Sequence, residues 1–173
     1  MNVAEHLEIR RELCQLEQKI IRASMSQPTI LTEPLLSTLR YIVSFARLTV
    51  VTNSLGEDVL LAPMLSRHRW WVIHQIREIV RREKRPAWAL TAAIPKLVKE
   101  TREQRKRILL HTNLDAPSLA AEVTQRQLVV AAGGGGGGGY GFAGVYQALH
   151  WAGIQPQLIS GTSIGALISM YRC

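Results

Sequence analysis

Cysteine is scarce in this chain: its 173 residues include only two, Cys14 and Cys173, far apart in the sequence. Two such residues build no disulfide framework, so a reducing compartment is expected. The opening MNVAEHLEIRRELCQ is charged and helical in pattern, with no apolar h-region, so no signal peptide is expected. No run reaches the roughly 18 uninterrupted apolar residues that a membrane span needs. The longest contender, Tyr41–Val51, is broken by Arg47. A cytoplasmic protein, soluble or peripheral to a membrane, is predicted. Charge is missing from the end of the chain, where Arg172 is the only Asp, Glu, Lys or Arg from Leu128 onward. A 46-residue stretch with one charge reads as interior structure. It places a boundary between two architectures near residue 120, with a helical, basic accessory region at 1–120 and a different domain opening at 121–173. With 47% apolar residues there is ample material for a core.

Residues 4–24 carry Ile9, Leu13, Leu16 and Ile20 at helical spacing. After SMSQPTILTEP, Thr32 is a plausible N-cap, and Pro34 is tolerated in a first turn because its missing N–H had no partner there. Leu35, Leu39, Ile42 and Ala46 form a second stripe, predicted to end at the Asn53-Ser54-Leu55-Gly56 turn. A third helix is predicted from Ser66 to Arg85, with Val72, Ile73, Ile76, Ile79 and Val80 on its apolar face. Ala87–Leu97 reads as a short apolar piece interrupted by Pro95, and Lys96–His111 as a separate charged helix. Residues 1–115 therefore read as all-helical, without repeats.

From Gln127 the pattern changes. Leu128–Ala132 is a short apolar run without polar alternation, as expected of a strand buried on both faces. Seven glycines follow, Gly133 to Gly139. A helix then carries Phe142, Val145 and Leu149 on one side, and Gly141, Gly144 and Ala148 on a small-residue side able to approach a sheet. Gly153 is a C-terminal stop. Leu158–Ser160 is a second short strand, and Ile164–Tyr171 another helix. Strand, glycine loop, helix, strand, sharp turn, helix make a βαβ unit with parallel strands.

Gly161-Thr162-Ser163-Ile164-Gly165 is a G-x-S-x-G motif between that second strand and the last helix. A serine displayed above a sheet edge sits in a strained turn, and glycines two positions either side let neighbouring backbone pass without a Cβ clash. The turn also brings the serine near a helix N-terminus, which favours developing negative charge. Alone the motif is weak, because small-residue turns match it by chance. The glycine run, however, also leaves a strand and opens a helix, and it ends 24 positions before the serine. Adjacent parallel strands bring both turns to one sheet edge. Successive glycine N–H groups can point into one concavity, the requirement of an oxyanion hole, where one preorganised donor is worth roughly 3–4 kcal/mol. A poly-glycine linker is the bland alternative, but a linker is not bracketed by a buried strand and an apolar helix. A phosphate cradle is disfavoured because no G-K-[ST] follows and no Asp or Glu occurs after Glu122.

Residues 128–173 resemble the start of the patatin-like phospholipases. That family opens with a strand, G-G-G-x-[RK]-G, a helix reading roughly G-V-x-x-A-L-x-x-A-G-I, a short strand and G-T-S-x-G-A-L. The matching residues are Gly134 to Gly139, then Gly144-Val145-Tyr146-Gln147-Ala148-Leu149-His150-Trp151-Ala152-Gly153-Ile154, and Gly161-Thr162-Ser163-Ile164-Gly165-Ala166-Leu167. The resemblance covers about a quarter of the chain. It implies an α/β fold class, with the helical N-terminal region followed by the first βαβ unit of an incomplete patatin-like parallel-sheet domain. It implies a lipid acyl hydrolase acting on lipid or phospholipid esters, with Ser163 as nucleophile in a Ser-Asp dyad and without cofactor or metal. Backbone of Gly134, Gly135, Gly136, Gly137 and Gly139 would form the oxyanion hole. Gly161, Thr162, Ile164 and Gly165 would form the nucleophile elbow.

Two departures from the family pattern stand out. Gly138 occupies the place of the usual basic residue. The family's Asp lies in a D-G-[GA] motif well over a hundred residues beyond the serine, whereas Asp58 and Asp115, the only aspartates, lie upstream in no such context. None of His6, His68, His74, His111 or His150 matches a catalytic role. His150 falls on the connecting helix as a partly exposed residue. The chain is therefore expected to be a truncated piece, inactive by itself, and its 128–173 segment alone is expected to be poorly stable or aggregation-prone. The alternative function is a non-catalytic module that binds a membrane or a partner.

Between Arg67 and Arg107 lie 13 Lys or Arg and 4 Glu, with Trp70, Trp71 and Trp88 among them. A charge run is most often a solvated face. The functional alternative is a surface for anionic phospholipid headgroups with tryptophans at the interface. Nucleic-acid binding is the least favoured reading.

Overall fold

A computed structural model describes residues 3–82, 86–125, 129–154, 156 and 158–170. The predicted ends at Arg85, Leu128 and Tyr171, like Arg172 and Cys173, lie outside the described residues. Among the described residues the structure is mostly helical, 73%, with two sheets of two strands each. It divides into two compact units between Thr124 and Gln125.

The first unit is built on α1 (Val3–Ser26), α2 (Glu33–Arg47), α3 (Ala62–Arg82), α4 (Pro86–His111) and α5 (Ala116–Thr124). The α1 stripe Ile9, Leu13, Leu16 and Ile20 is buried against Leu39, Ile42 and Val43 of α2, Val72, Ile73 and Ile76 of α3, and Leu90, Ile94 and Leu97 of α4. Helix α2 starts from Thr32 in extended backbone with Pro34 in the first turn, but the Thr32 hydroxyl makes no capping bond. Glu17 of α1 accepts from Arg40 Nε at 3.1 Å and from Arg47, clamping α1 to α2. Burial would raise the Glu17 pKa, but hydrogen bonds from Arg47 and Arg40 outweigh it and hold the group below its ordinary value.

The structure corrects three sequence expectations in this unit. Helix α2 does not continue to Asn53. It ends at Arg47, and β1 (Val50–Thr52) pairs antiparallel with β2 (Asp58–Leu60) around the Asn53–Gly56 turn. The β-branched run Thr49-Val50-Val51-Thr52 favours this strand. Asn53 Oδ1 closes the turn by accepting from the N–H groups of Leu55 and Glu57, each at 2.9 Å, and Gly56 supplies φ +82°. The unit is therefore not all-helical.

Secondly, Ala87–Leu97 and Lys96–His111 are one helix, α4, with Pro95 inside it. A proline in a helix interior costs about 3 kcal/mol. Here Leu90, Ile94, Leu97, Thr101, Gln104 and Ile108 form one unbroken buried stripe across it. Continuous packing on both sides of Pro95 offsets the lost backbone bond.

Thirdly, Arg69 is not on a basic surface. It is 1% exposed, donating to the carbonyls of Ala46 at 2.9 Å, Ala62 at 3.4 Å and Leu48. Burial lowers its pKa. The side chain satisfies carbonyls at the end of α2, where no intrahelical partner exists. A second cluster of Phe45, Leu48, Val51, Leu61, Leu65, Ile108, Leu114, Leu119 and Val123 joins the hairpin to α5. Asp115 begins α5 by accepting from Ser118 N–H at 2.8 Å, and it also accepts from Ser54 N–H at 2.9 Å.

The second unit runs β3 (Val129–Ala132), a glycine loop with a single 3-10 turn at Gly136–Tyr140, α6 (Gly141–Trp151), β4 (Leu158–Gly161) and α7 (Ile164–Met170). Strands β3 and β4 are parallel, with Val129 opposite Leu158 and Ala132 opposite Gly161.

Candidate active site

Because Ala132 and Gly161 are paired, the chain leaves β3 and β4 at the same end of the sheet. Thr162 N–H donates to Ala132 O at 3.1 Å, which carries the pairing one residue past the strand. The next residue, Ser163, has φ +53°, and among the described residues it is the only non-glycine with positive φ. That backbone costs on the order of 1–3 kcal/mol and persists only when the surroundings over-determine it.

The two flanking glycines supply that determination. A Cβ on Gly165 would lie 2.5 Å from Gly133 O and 2.8 Å from Ala132 C. A Cβ on Gly161 would lie 2.6 Å from Ala166 N and 2.7 Å from Ala166 Cα. Neither backbone contact can yield without moving a strand or the helix, so only glycine fits at both positions. Gly165 N–H donates to Thr162 O at 3.1 Å, and Ala166 N–H to Ser163 O at 3.0 Å, closing the turn into α7. The Ser163 side chain is left exposed at the sheet end.

The glycine loop meets this turn from the β3 side. A Cβ on Gly134 would lie 3.3 Å from Ser163 Cβ and 3.9 Å from Thr162 O, so Gly134 is the loop residue set against the serine. Gly139 is buried under Ile164, where a Cβ would lie 2.8 Å from Ile164 Cγ1. Gly135, Gly136 and Gly137 have open space around them, and Gly136 takes φ +54°. Gly138 N–H donates to Gly135 O at 3.2 Å, so the 3-10 turn consumes that donor. Open space also surrounds Gly138, and a side chain there would meet no neighbour within 4 Å.

Residue patterns do not reveal how α6 is held. Its buried residue is Tyr146. The Tyr146 hydroxyl lies 2.8 Å from Ser169 Oγ, and Ser169 Oγ donates to Gly165 O at 2.6 Å. One polar chain thus links α6 to α7 and to the glycine behind Ser163. The one signal for it in the sequence is a pair of hydroxyls, Tyr146 and Ser169, inside two otherwise apolar helices. The expected small-residue face is not packed, since a Cβ on Gly141 or Gly144 would meet nothing within 4 Å and Ala148 is exposed, and on the apolar side Val145 is half-exposed. Nor is β3 covered on both faces, since Val129 is 49% exposed, and on β4 Leu158 is 55% exposed. Both corrections have one cause. Two four-residue strands present too little surface to cover an apolar helix, and the helix too little to cover them.

No carboxylate occurs in residues 128–173. His150 is exposed on α6. In the first unit, Asp115 is committed to Ser54 and Ser118, and Asp58 accepts from the Thr52 hydroxyl at 2.7 Å. Hydrogen bonds from Ser118 and Ser54 hold the Asp115 carboxyl well below the usual carboxylate range. Among the described residues no group of three His, Cys, Asp or Glu could hold a metal ion, and no helix is long and apolar enough to cross a membrane.

The basic segment is partly neutralised. Arg77 pairs with Glu12, Arg81 with Glu78 at 3.4 Å and Lys106 with Glu103 at 3.2 Å. Trp70 and Trp88 are exposed, at 39% and 59%. Trp71 is half-buried, stacked on His68 with Lys96 Nζ 5.9 Å above its ring. No family model matches the chain, and no curated protein or solved structure matches it either.

Proposed function

We propose that this protein is a serine lipid acyl hydrolase of the patatin-like kind, with Ser163 as nucleophile and the βαβ unit as the start of a patatin-like parallel-sheet domain. The observation that carries this reading is the backbone of Ser163. It sits at positive φ between two glycines that no other residue can replace, with Gly134 against its side chain. Proteins hold such strain where a side chain must be presented for chemistry.

In the proposed reaction Ser163 Oγ attacks an ester carbonyl, and glycine-loop N–H groups stabilise the oxyanion. The C–O bond then breaks, the alcohol leaves with a proton, and water hydrolyses the acyl-enzyme. Gly134 is the first choice of donor by proximity, followed by Gly135, Gly136 and Gly137, whereas Gly138 is engaged within the loop and Gly139 is buried under Ile164 inside the 3-10 turn. The resemblance assigns the proton to an Asp in a D-G-[GA] context. Residues 128–173 contribute no such group, and Asp58 and Asp115 are not promoted to the role. Without that base, residues 1–173 alone are expected to leave ester turnover at background.

The test measures fatty-acid release from mixed phospholipid by the protein as its gene encodes it. Release lost in Ser163→Ala supports the reading. A folded protein that releases none, or whose release survives that substitution, contradicts it. The same reading assigns the exposed tryptophans, and the exposed cations of α3 and α4 that have no carboxylate partner among the described residues, to a peripheral contact with anionic lipid. Equal, weak flotation with anionic and neutral liposomes would remove that part.

A further inference from the structure

The first unit carries a cleft of about 400 Å³ between α2 and α4, lined by Ser37, Thr38, Tyr41 and Ile42 on one side and Val98, Thr101, Arg102 and Arg105 on the other. On α4 these four residues fall at i, i+3, i+4 and i+7, one face of the helix, so the two guanidiniums and the threonine project together. The volume lies within the range of small-molecule sites.

Two of the residues lining this cleft carry buried, unsatisfied polar atoms. Thr101 is 3% exposed, and its Oγ1 has no hydrogen-bond partner among the described residues. Arg105 Nε is also buried without one. A threonine in a helix can bond its hydroxyl to the carbonyl four residues back. Thr101 does not, although Thr38 across the cleft donates to Pro34 O at 2.9 Å in that way. A buried polar group without a partner is costly and calls for an explanation. Neither Arg102 nor Arg105 has a carboxylate partner among the described residues, unlike Arg40, Arg47, Arg77 and Arg81. Among the described residues no Asp or Glu lines the cleft.

We propose that the α2–α4 cleft is a binding site for a phosphomonoester, with Arg102, Arg105 and the Thr101 and Tyr41 hydroxyls donating to the phosphate. The donors on offer are cationic or hydroxylic, which selects an anion. Two guanidiniums one helical turn apart suit a dianion with several acceptor oxygens. Ile42 and Val98 leave apolar wall for the organic part of the ligand. The site belongs to the first unit and does not depend on the role of Ser163.

The phosphate could belong to a soluble metabolite or to a lipid headgroup, and three probes separate these sources with the whole chain. Inorganic phosphate and glycerol 3-phosphate are titrated calorimetrically. Phosphatidylcholine vesicles with and without phosphatidic acid are tested by co-sedimentation. The binding probe is expected to lose at least about tenfold in affinity in the Arg102→Gln/Arg105→Gln pair. Arg102→Gln alone, at an exposed position, gives most of that loss without risk to folding. Thr101→Val, which removes a donor but no charge, weakens binding several-fold. Arg10→Gln, an exposed charge on α1 outside the cleft, leaves it unchanged. Binding of the soluble probes assigns a free phosphomonoester, and binding of phosphatidic acid vesicles alone assigns a headgroup. No binding of any probe, affinity unchanged in the double variant or in Thr101→Val, or an equal loss in Arg10→Gln overturns the proposal.

Discussion

Lowering the pH from about 7.5 to about 4.5 is expected to destabilise the helical unit by about 2.5 kcal/mol through one side chain, His68. The ring is 4% exposed, edge-on to Phe45 at 5.6 Å and stacked on Trp71 at 6.1 Å, and neither Nδ1 nor Nε2 has a partner among the described residues. Burial alone pushes its pKa down from 6.5 to about 4. The folded pKa lies below the unfolded one, so the unfolded chain takes up the proton first. The stabilisation is complete above 6.5 and is lost progressively as pH falls toward 4. Stopping at about pH 4.5 keeps most of the contribution of Glu17 and Asp115 out of the measurement, since both hold depressed pKa values and stabilise the fold until lower pH. Urea unfolding followed by tryptophan fluorescence reads the effect, with Trp71 as a local reporter. The midpoint should fall by about 1–2 M between the two pH values, and by far less in His68→Leu. At neutral pH that substitution removes two unpaired polar atoms and should cost little. An equal fall in the variant, or a flat midpoint in the native protein, would refute the assignment.

Other substitutions probe the two units separately. Gly165→Ala places a Cβ 2.5 Å from Gly133 O, so the elbow should open at a cost of at least about 3 kcal/mol, seen as faster exchange of the Thr162 amide that now donates to Ala132 O. Gly137→Ala, with nothing within 4 Å, should leave that amide protected, and equal exchange in the two variants would discredit the steric account. Arg69→Met strips donors from the carbonyls of Ala46, Leu48 and Ala62, and should lower Tm by more than about 10 °C. A shift of a degree or two would show that the buried guanidinium is dispensable. Thr101→Val, besides weakening phosphate binding, should raise stability by about 1 kcal/mol in calorimetric unfolding, and a loss of stability would mean that the hydroxyl has a partner after all.

Periodicity makes much of the helical unit legible, because Ile9, Leu13, Leu16 and Ile20 keep one face of α1 through its length and that face is buried. It fails where a local rule meets a longer-range one. Pro95 reads as a break, yet the stripe from Leu90 to Ile108 runs straight through it. Thr49 to Thr52 extend a helical stripe on paper, although their β-branched side chains favour a strand. Arg69 reads as surface charge because spacing cannot show that α2 ends with carbonyls directed at it. In the second unit the elbow turn can be read because sterics dictate it. Only coordinates show that Gly134 rather than its neighbours abuts the serine, or that Tyr146 and Ser169 tie α6 to the back of Gly165. A run of identical glycines carries no positional information, and a hydroxyl pair 23 residues apart has no local pattern.

The central claim is that Ser163 is presented as a nucleophile. Treatment of the protein as its gene encodes it with a fluorophosphonate, followed by peptide mass mapping, tests this most directly. Stoichiometric modification at Ser163, absent in Ser163→Ala and sharply reduced in Gly165→Ala, is the predicted result. A folded protein that stays unmodified, or a label that persists in Ser163→Ala, would contradict it.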